Sequence, residues 1–231
     1  MRTFVFMKSV GLARRAVREC SSSRPIQIIG AIGSYATILF DGSEYNGHYI
    51  DTIDEKTVVD YFLQQSKPLL QADLKILAFE TIPAFKEALC ILQALDRMPD
   101  DIKCWISFSC KNGQLVNHGE NFAECVKKII VHPKLIAIGV NCTKPSFITS
   151  LLNSAQKYLG EKFFVVYPNS GEKYDAKTKR WLPPEDEDID FDKMIPEWKT
   201  LGAKLIGGCC RMKPEDIRKI SAVIAFLNNK S

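Results

Sequence analysis

The stretch "AKLIGGCCRMKP" (residues 203–214) reads as a strand, a sharp stop and a helix start in quick succession. The apolar run at 204–208 is short and nearly continuous, as strands buried on both faces are. It ends at two glycines and two adjacent cysteines. Pro214 follows where a helix tolerates proline, in a first turn whose N–H groups have no intrahelical partner. The two thiols are small enough to be core residues. They are also metal ligands, and that second reading asks for a third ligand at a comparable place elsewhere in the chain.

The same strand-then-helix unit recurs. The runs "IQIIG" (26–30), "KILAF" (75–79), "CWISFS" (104–109), "LIAIGVN" (135–141) and "KFFVVY" (162–167) are each bounded by Gly, Pro, Asn or charge. Helical patterns fall at 54–66, 83–97, 119–130, 145–158, 191–201 and 214–228, with Thr81 a candidate cap and Pro83 and Pro145 near helix starts. This alternation gives an α/β fold with parallel strands and right-handed crossovers. Two architectures fit, an open doubly wound sheet and an eight-fold barrel, and in both the ligands gather beyond the C-terminal ends of the strands. "GAIGSY" has two glycines at the wrong spacing for a dinucleotide fingerprint. About six strands are visible, fewer than a complete barrel needs. No linker, repeat or low-complexity tract divides the chain, so residues 1–231 are read as one domain.

Of the 231 residues, 46% are hydrophobic and 25% charged, and the net charge of +4 is dispersed. This balance argues against a nucleic-acid or membrane-surface partner. No apolar run approaches the roughly 20 residues of a membrane helix. Eight cysteines in a core-rich chain, several of them in strand-like runs, point to a reducing, cytoplasmic setting with thiols buried or bound to metal. The first 20 residues are basic, with no acid before Glu19, as in a targeting peptide. The preferred reading is an amphipathic helix over 9–20, with Val10, Ala13 and Val17 on one face. The polar segment 173–193 lacks the central Gly and closing Glu of a calcium loop and reads as a solvated surface loop.

The strand ends hold the chemistry. Glu80 follows the second run, Asn141 and Cys142 end the fourth, Asn169 follows the fifth, and Cys209 and Cys210 end the last. In a parallel sheet all of these project at one rim. Three cysteines there can hold zinc with one coordination position open, the pattern of catalytic sites. Gly207 and Gly208 are read as permitting the turn that aims both sulfurs. Packing, or a strained vicinal disulfide, is the other reading of the same cysteines. His48, His118 and His132 lie in polar, loop-like contexts and are not read as ligands. A carboxylate such as Glu80 after "ILAF" is costly to bury unpaired, so it is either a ligand-binding group or a rim ion pair or cap.

At these residues a resemblance emerges. "GVNC" followed by "GGCCR", together with "FETIP", "YPNSGE" and "IGAIGSYATILFDGSEYNGHY", resembles the zinc-dependent homocysteine S-methyltransferases, in the branch that uses S-methylmethionine or S-adenosylmethionine. The motifs occur in order from about residue 9 to the C-terminus. The resemblance implies a (β/α)8 barrel with Zn2+ held by Cys142, Cys209 and Cys210. It implies that Glu80 is the catalytic-site carboxylate that meets the amino group of homocysteine. It also implies that Asn141, Asn169, Ser34 and Tyr35 line the pocket, and that residues 41–45, Tyr45 included, shape the methyl-donor side. The implied reaction moves a methyl group from a sulfonium to the zinc-activated thiolate of homocysteine, giving methionine. The physical chemistry agrees. A free thiol has a pKa of about 8.5 and is mostly protonated at neutral pH, and zinc removes that proton. The sulfonium methyl is already electrophilic, and a neutral thioether leaves without a general acid. Aromatic faces such as those of Tyr35 and Tyr45 suit the sulfonium charge.

The family begins with two strands that are not found here, one ending in an Asp-Gly-Gly-type loop and one in a Thr-Asn-Ser-Tyr-like segment. "MRTFVFMK" (1–8) is the one candidate for a further short strand. The expectation is therefore a barrel of about six βα units, incomplete at its N-terminal side. Its open edges invite self-association, and turnover by these residues alone is expected to be weak at best. The alternative is a non-catalytic paralogue that binds zinc or a partner.

Overall fold

The computed structural model describes residues 2–175, 178–182 and 190–229. Helix α1 (Arg2–Glu19) precedes five parallel strands, β1 (Gly30–Gly33), β2 (Ile76–Ile82), β3 (Lys103–Phe108), β4 (Leu135–Asn141) and β5 (Phe163–Tyr167). Between them lie α2 (Glu55–Gln71), α3 (Phe85–Leu95), α4 (Phe122–Ile129) and α5 (Pro145–Ala155). A small antiparallel hairpin, β6 (Lys173–Asp175) and β7 (Arg180–Leu182), leads to α6 (Phe191–Thr200). Strand β8 (Ala203–Ile206) then returns to the main sheet beside β5, and α7 (Pro214–Asn228) closes the described chain.

The six-stranded sheet runs β1-β2-β3-β4-β5-β8, all parallel. A doubly wound sheet reverses its strand order at a switch point, and this one does not. The order is that of a (β/α) barrel, and it settles the choice the sequence left open. Helices α2 to α7 cover one face. Phe62, Phe79, Ile91, Phe108, Phe122, Leu151 and Trp198 are fully buried between helices and strands, each worth about 1.5–3 kcal/mol over exposure. The other face carries Ile29, Ile76, Trp105, Ile136, Phe163 and Leu205 along a groove of about 730 Å³. Among the described residues β1 and β8 each pair on one side only.

Local chemistry explains the helix starts. Asp54 accepts the Thr57 N–H at 3.1 Å ahead of α2, and Asn121 accepts the Glu124 N–H at 3.1 Å ahead of α4. Pro145 and Pro214 occupy first-turn positions of α5 and α7.

Four expectations need correction. The first strand begins at Gly30 rather than at residue 26, opposite Leu77. A Cβ at Gly30 would stand 2.8 Å from Leu77 Cδ2 and 3.0 Å from Leu69 Cδ1, so the glycine is what lets the strand seat there, while Ile26 stays 45% exposed. Residues 1–8 supply no strand over their described part: α1 extends to Arg2, and Val10 and an Arg14 Nη2 hydrogen bond to Ala72 O (2.5 Å) fix it against the end of α2. Part of 173–193 is the β6–β7 hairpin, whose ladder satisfies backbone groups that a plain loop would leave to water. Residues 176–177 and 183–189, with most of the acidic run, lie outside the described residues. Lastly, Thr81 caps no helix; Ala84 holds the N-cap of α3.

Candidate metal and substrate site

Each sulfur of the expected ligand set stands just past a strand end. Cys142 follows β4, and Cys209 with Cys210 follows β8. Cys142 Sγ lies 2.7 Å from Cys209 Sγ and 3.5 Å from Cys210 Sγ, and the three sulfurs lie within 4.8 Å of one another. All three residues are partly buried, and all eight cysteines are free thiols. In a tetrahedral thiolate site the sulfurs stand about 3.8 Å apart, so a small opening of the closest pair admits an ion. The donor set of three thiols at one rim fits zinc.

The backbone, rather than the paired glycines, aims these sulfurs. Cys142 takes a left-handed φ of 45° and Arg211 one of 67°, whereas Gly207 and Gly208 do not. Such strain in a non-glycine residue costs of order 1–3 kcal/mol and clusters at functional sites. Gly208 is needed for space, since a Cβ there would meet Met212 Cβ at 2.7 Å. The Cys142 N–H donates to Tyr167 O (3.3 Å), the Cys209 N–H to Pro168 O (2.7 Å) and the Ser170 N–H to Cys210 O (3.1 Å). The segment after β5 thus laces both sulfur-bearing turns together.

Electrostatically the three thiols act as one group. The Cys209 sulfur accepts from the Cys142 and Cys210 thiols, and these bonds pull its pKa well down. The Cys142 thiol, which gives its hydrogen to Cys209, is pushed far up. The Asn141 amide adds a further donor, with Nδ2 3.7 Å from Cys209 Sγ. Asn141 is fully buried, and it also accepts the Thr81 N–H and donates to Thr81 Oγ1, both at 2.7 Å.

Glu80 lies within β2, because that strand continues to Ile82 through an irregularity at a left-handed Thr81 (φ 59°). Its Oε2 accepts the Tyr167 hydroxyl at 3.2 Å. Burial raises the Glu80 pKa, the nearby Cys209 sulfur raises it further, and the tyrosine hydrogen bond pulls it back. Tyr167 is a hub. Its hydroxyl also accepts Trp105 Nε1–H at 3.2 Å and bonds Ser107 Oγ. Sequence reading missed Tyr167, Ser107 and Trp105. The available signal was their register, since all three project from β5 and β3 to the face that carries Glu80.

The 34–51 loop divides into two regions. Burial raises the Tyr45 hydroxyl pKa, and the Cys142 and Cys210 sulfurs add to it, so this hydroxyl lies within electrostatic reach of the thiols. Ser34 and Tyr35 sit deeper. Ser34 is fully buried, and its carbonyl accepts from Thr37 and Tyr61. The Tyr35 ring stacks on Tyr49 (centroids 6.0 Å apart) and meets Tyr61 edge-on (5.3 Å). Beneath them is Glu87, fully buried and unremarked in the sequence because it reads as an ordinary helix residue. Its carboxylate accepts the Tyr35 N–H at 2.6 Å and the Tyr49 hydroxyl. Burial lifts its pKa to about 7 against the pull of these two donors. Asn169 accepts the Gly171 N–H (3.1 Å) and donates its own N–H to Thr143 O (3.3 Å). His48 and His118, set aside in the sequence reading, come together with Asp51.

The sequence matches the homocysteine S-methyltransferase family over residues 3–224. It is 39% identical over 206 residues to homocysteine S-methyltransferase 3 of Arabidopsis thaliana, covering 89% of this chain and 59% of that protein. It is 39% identical over 226 residues to homocysteine S-methyltransferase 1 of Zea mays, covering 94% and 70% of the two chains. Among solved structures, the metallated form of the homocysteine methyltransferase MmuM from Escherichia coli superposes with a TM-score of 0.77 at 29% identity, over 95% of this chain and 70% of that one. This chain thus spans about 60% of the length of the first of these plant relatives.

Proposed function

The chain belongs to the homocysteine S-methyltransferase family, and from that premise we propose that it transfers a methyl group from a sulfonium donor, S-methylmethionine or S-adenosylmethionine, to the sulfur of homocysteine, giving methionine. One observation carries the reading. Three thiols from two distant parts of the chain converge at the strand rim that also holds Glu80 and Tyr45.

Cys142, Cys209 and Cys210 would hold zinc. Bound there, zinc supplies the Lewis acidity that lets the homocysteine thiol lose its proton at neutral pH. The chain's own residues do the rest. Asn141, locked by Thr81, stabilises the charged sulfur of Cys209 and fixes its direction. Glu80, oriented by Tyr167, offers a carboxylate to the substrate ammonium, which would offset the burial that now raises its pKa. The Tyr45 ring, whose hydroxyl lies within electrostatic reach of the sulfurs, offers an aromatic face to the sulfonium. In the reaction a bond forms from homocysteine sulfur to the methyl carbon. The donor's bond from carbon to sulfur breaks with its electron pair, and a neutral thioether leaves. No proton transfer to the leaving group is required, so catalysis consists of thiolate formation and in-line alignment.

Ser34, Tyr35 and Asn169 are assigned to the pocket wall on the strength of the family resemblance. The one-sided edges of β1 and β8 are what supports self-association, which sedimentation tests. No helix among the described residues is long and apolar enough to cross a membrane. The functional test is methionine formation from homocysteine with each donor, measured beside Cys142→Ser. The expected result is slow product formation by the parent and a loss of about 100-fold or more in the variant. Equal rates in the two proteins would overturn the assignment.

A further inference from the structure

We propose that His48, Asp51 and His118 form a second cation site, separate from the thiols, that takes a divalent first-row metal of the zinc type and clamps the 34–51 loop to the loop after β3. The ligand atoms of the three side chains lie within 4.8 Å of one another. His48 and Asp51 stand three residues apart on a 3-10 turn (His48–Asp51), where side chains at i and i+3 eclipse, so both project to one side. His118 comes from the other loop, and its backbone N–H donates to Pro83 O at 2.8 Å. Gly47, at φ 72°, makes the approach possible. A Cβ there would stand 3.0 Å from His118 Cβ and 3.3 Å from Pro83 Cβ.

The second independent feature is the support of the His118 ring. Its Nδ1 lies 3.1 Å from Glu120 Oε1, which already accepts the Phe85 N–H at the start of α3 (3.0 Å). A carboxylate held in place this way can take the Nδ1 hydrogen and leave the Nε2 lone pair free for a cation. This is the support that metal-bound histidines receive from carboxylates. That lone pair faces Asp51 Oδ2 at 3.1 Å. At that separation Nε2 and Asp51 Oδ2 are bridged by a proton or, with Nε2 deprotonated, by a metal. His48 lies with its ring centroid 5.9 Å from that of His118, and two imidazoles with one carboxylate form a nitrogen–oxygen set suited to zinc rather than to calcium or magnesium. The side chain of His118 is 21% exposed and that of Asp51 58%, which leaves the remaining coordination positions to water.

The test uses the whole chain, stripped with chelator and reloaded with Co2+ or Zn2+. Cobalt at this site gives visible d–d absorption without a thiolate charge-transfer band, which separates it from cobalt at the cysteines. The expected result is one equivalent of each spectral type in the parent. His48→Ala/His118→Ala should lose the nitrogen–oxygen equivalent and keep the thiolate one. Cys142→Ser should do the reverse, and Asp51→Asn should weaken the second site about 10- to 100-fold. Far-ultraviolet circular dichroism checks that each variant is folded. The proposal fails if the parent takes no nitrogen–oxygen-bound metal at micromolar free ion, or if that equivalent persists in the double-histidine variant. Failure here leaves the thiolate reading standing, because the two sites are read out separately.

Discussion

The Asn141 amide donates to Cys209: Nδ2 lies 3.7 Å from Sγ, and the same side chain is clamped by two 2.7 Å bonds to Thr81. The carboxylate of Asn141→Asp would face the sulfur with charge instead of a donor. It should weaken zinc binding about 10- to 100-fold in a chelator competition. Asn141→Ala should cost about 1–3 kcal/mol of stability, because it leaves the Thr81 N–H without its partner. Parent-like metal affinity in the aspartate variant would show that Asn141 plays no part in holding the thiolates.

Tyr167→Phe removes the hydroxyl that serves Glu80, Trp105 and Ser107 at once. Glu80 then loses the Tyr167 hydroxyl as a donor and, with it, its orientation. The expected kinetic result is a homocysteine KM raised about 10-fold with a smaller change in the donor KM, since the carboxylate meets only the amino acid. A shift confined to the donor KM would reassign Glu80.

Tyr45 and Tyr35 should separate. The Tyr45 hydroxyl lies within electrostatic reach of the sulfurs, so Tyr45→Leu is expected to weaken donor binding more than homocysteine binding, by roughly 0.5–2 kcal/mol. Tyr35 is packed among Tyr49 and Tyr61, and Tyr35→Leu is expected to lower stability first. Isothermal titration with each ligand decides this. Equal losses for both ligands in Tyr45→Leu would remove the sulfonium assignment.

Glu87 gives the fold a pH dependence of definite sign. Its pKa is lifted from 4.5 to about 7 in the folded chain by burial, outweighing the Tyr35 N–H and the Tyr49 hydroxyl. Folding therefore favours the protonated form. The contribution is fully present below about pH 4.5 and is lost as pH rises through about 7. It is on the order of 3 kcal/mol, as a shift of this size implies. Urea titrations of the parent and Glu87→Gln from pH 5 to 8 should show the parent losing stability relative to the variant. Parallel curves would mean that Glu87 titrates normally and that the 34–51 loop rests on something else.

Strand-like runs with strand-end polar residues were enough to place the rim, because a parallel sheet delivers every strand's C-terminal end to the same side. Cys142, Cys209 and Cys210 could be named before any geometry was known. What the sequence hid was everything carried by backbone conformation or by contacts between distant segments. No residue pattern announces a left-handed cysteine at 142, and "GGCC" suggested that the glycines turn the chain when Arg211 does. Tyr167 looked like a strand residue, and Glu87 like a solvated helix position, until α3 placed it under the 34–51 loop. His48 and His118 lie far apart in sequence, and only the Gly47 turn brings their rings together.

The most direct test of the account is the absorption spectrum of the cobalt-loaded chain as homocysteine is added. The account predicts an intense near-ultraviolet thiolate-to-cobalt band that is lost in Cys142→Ser and grows when homocysteine adds its own sulfur at the open position. A band absent from the parent, or one unchanged by homocysteine, would contradict it.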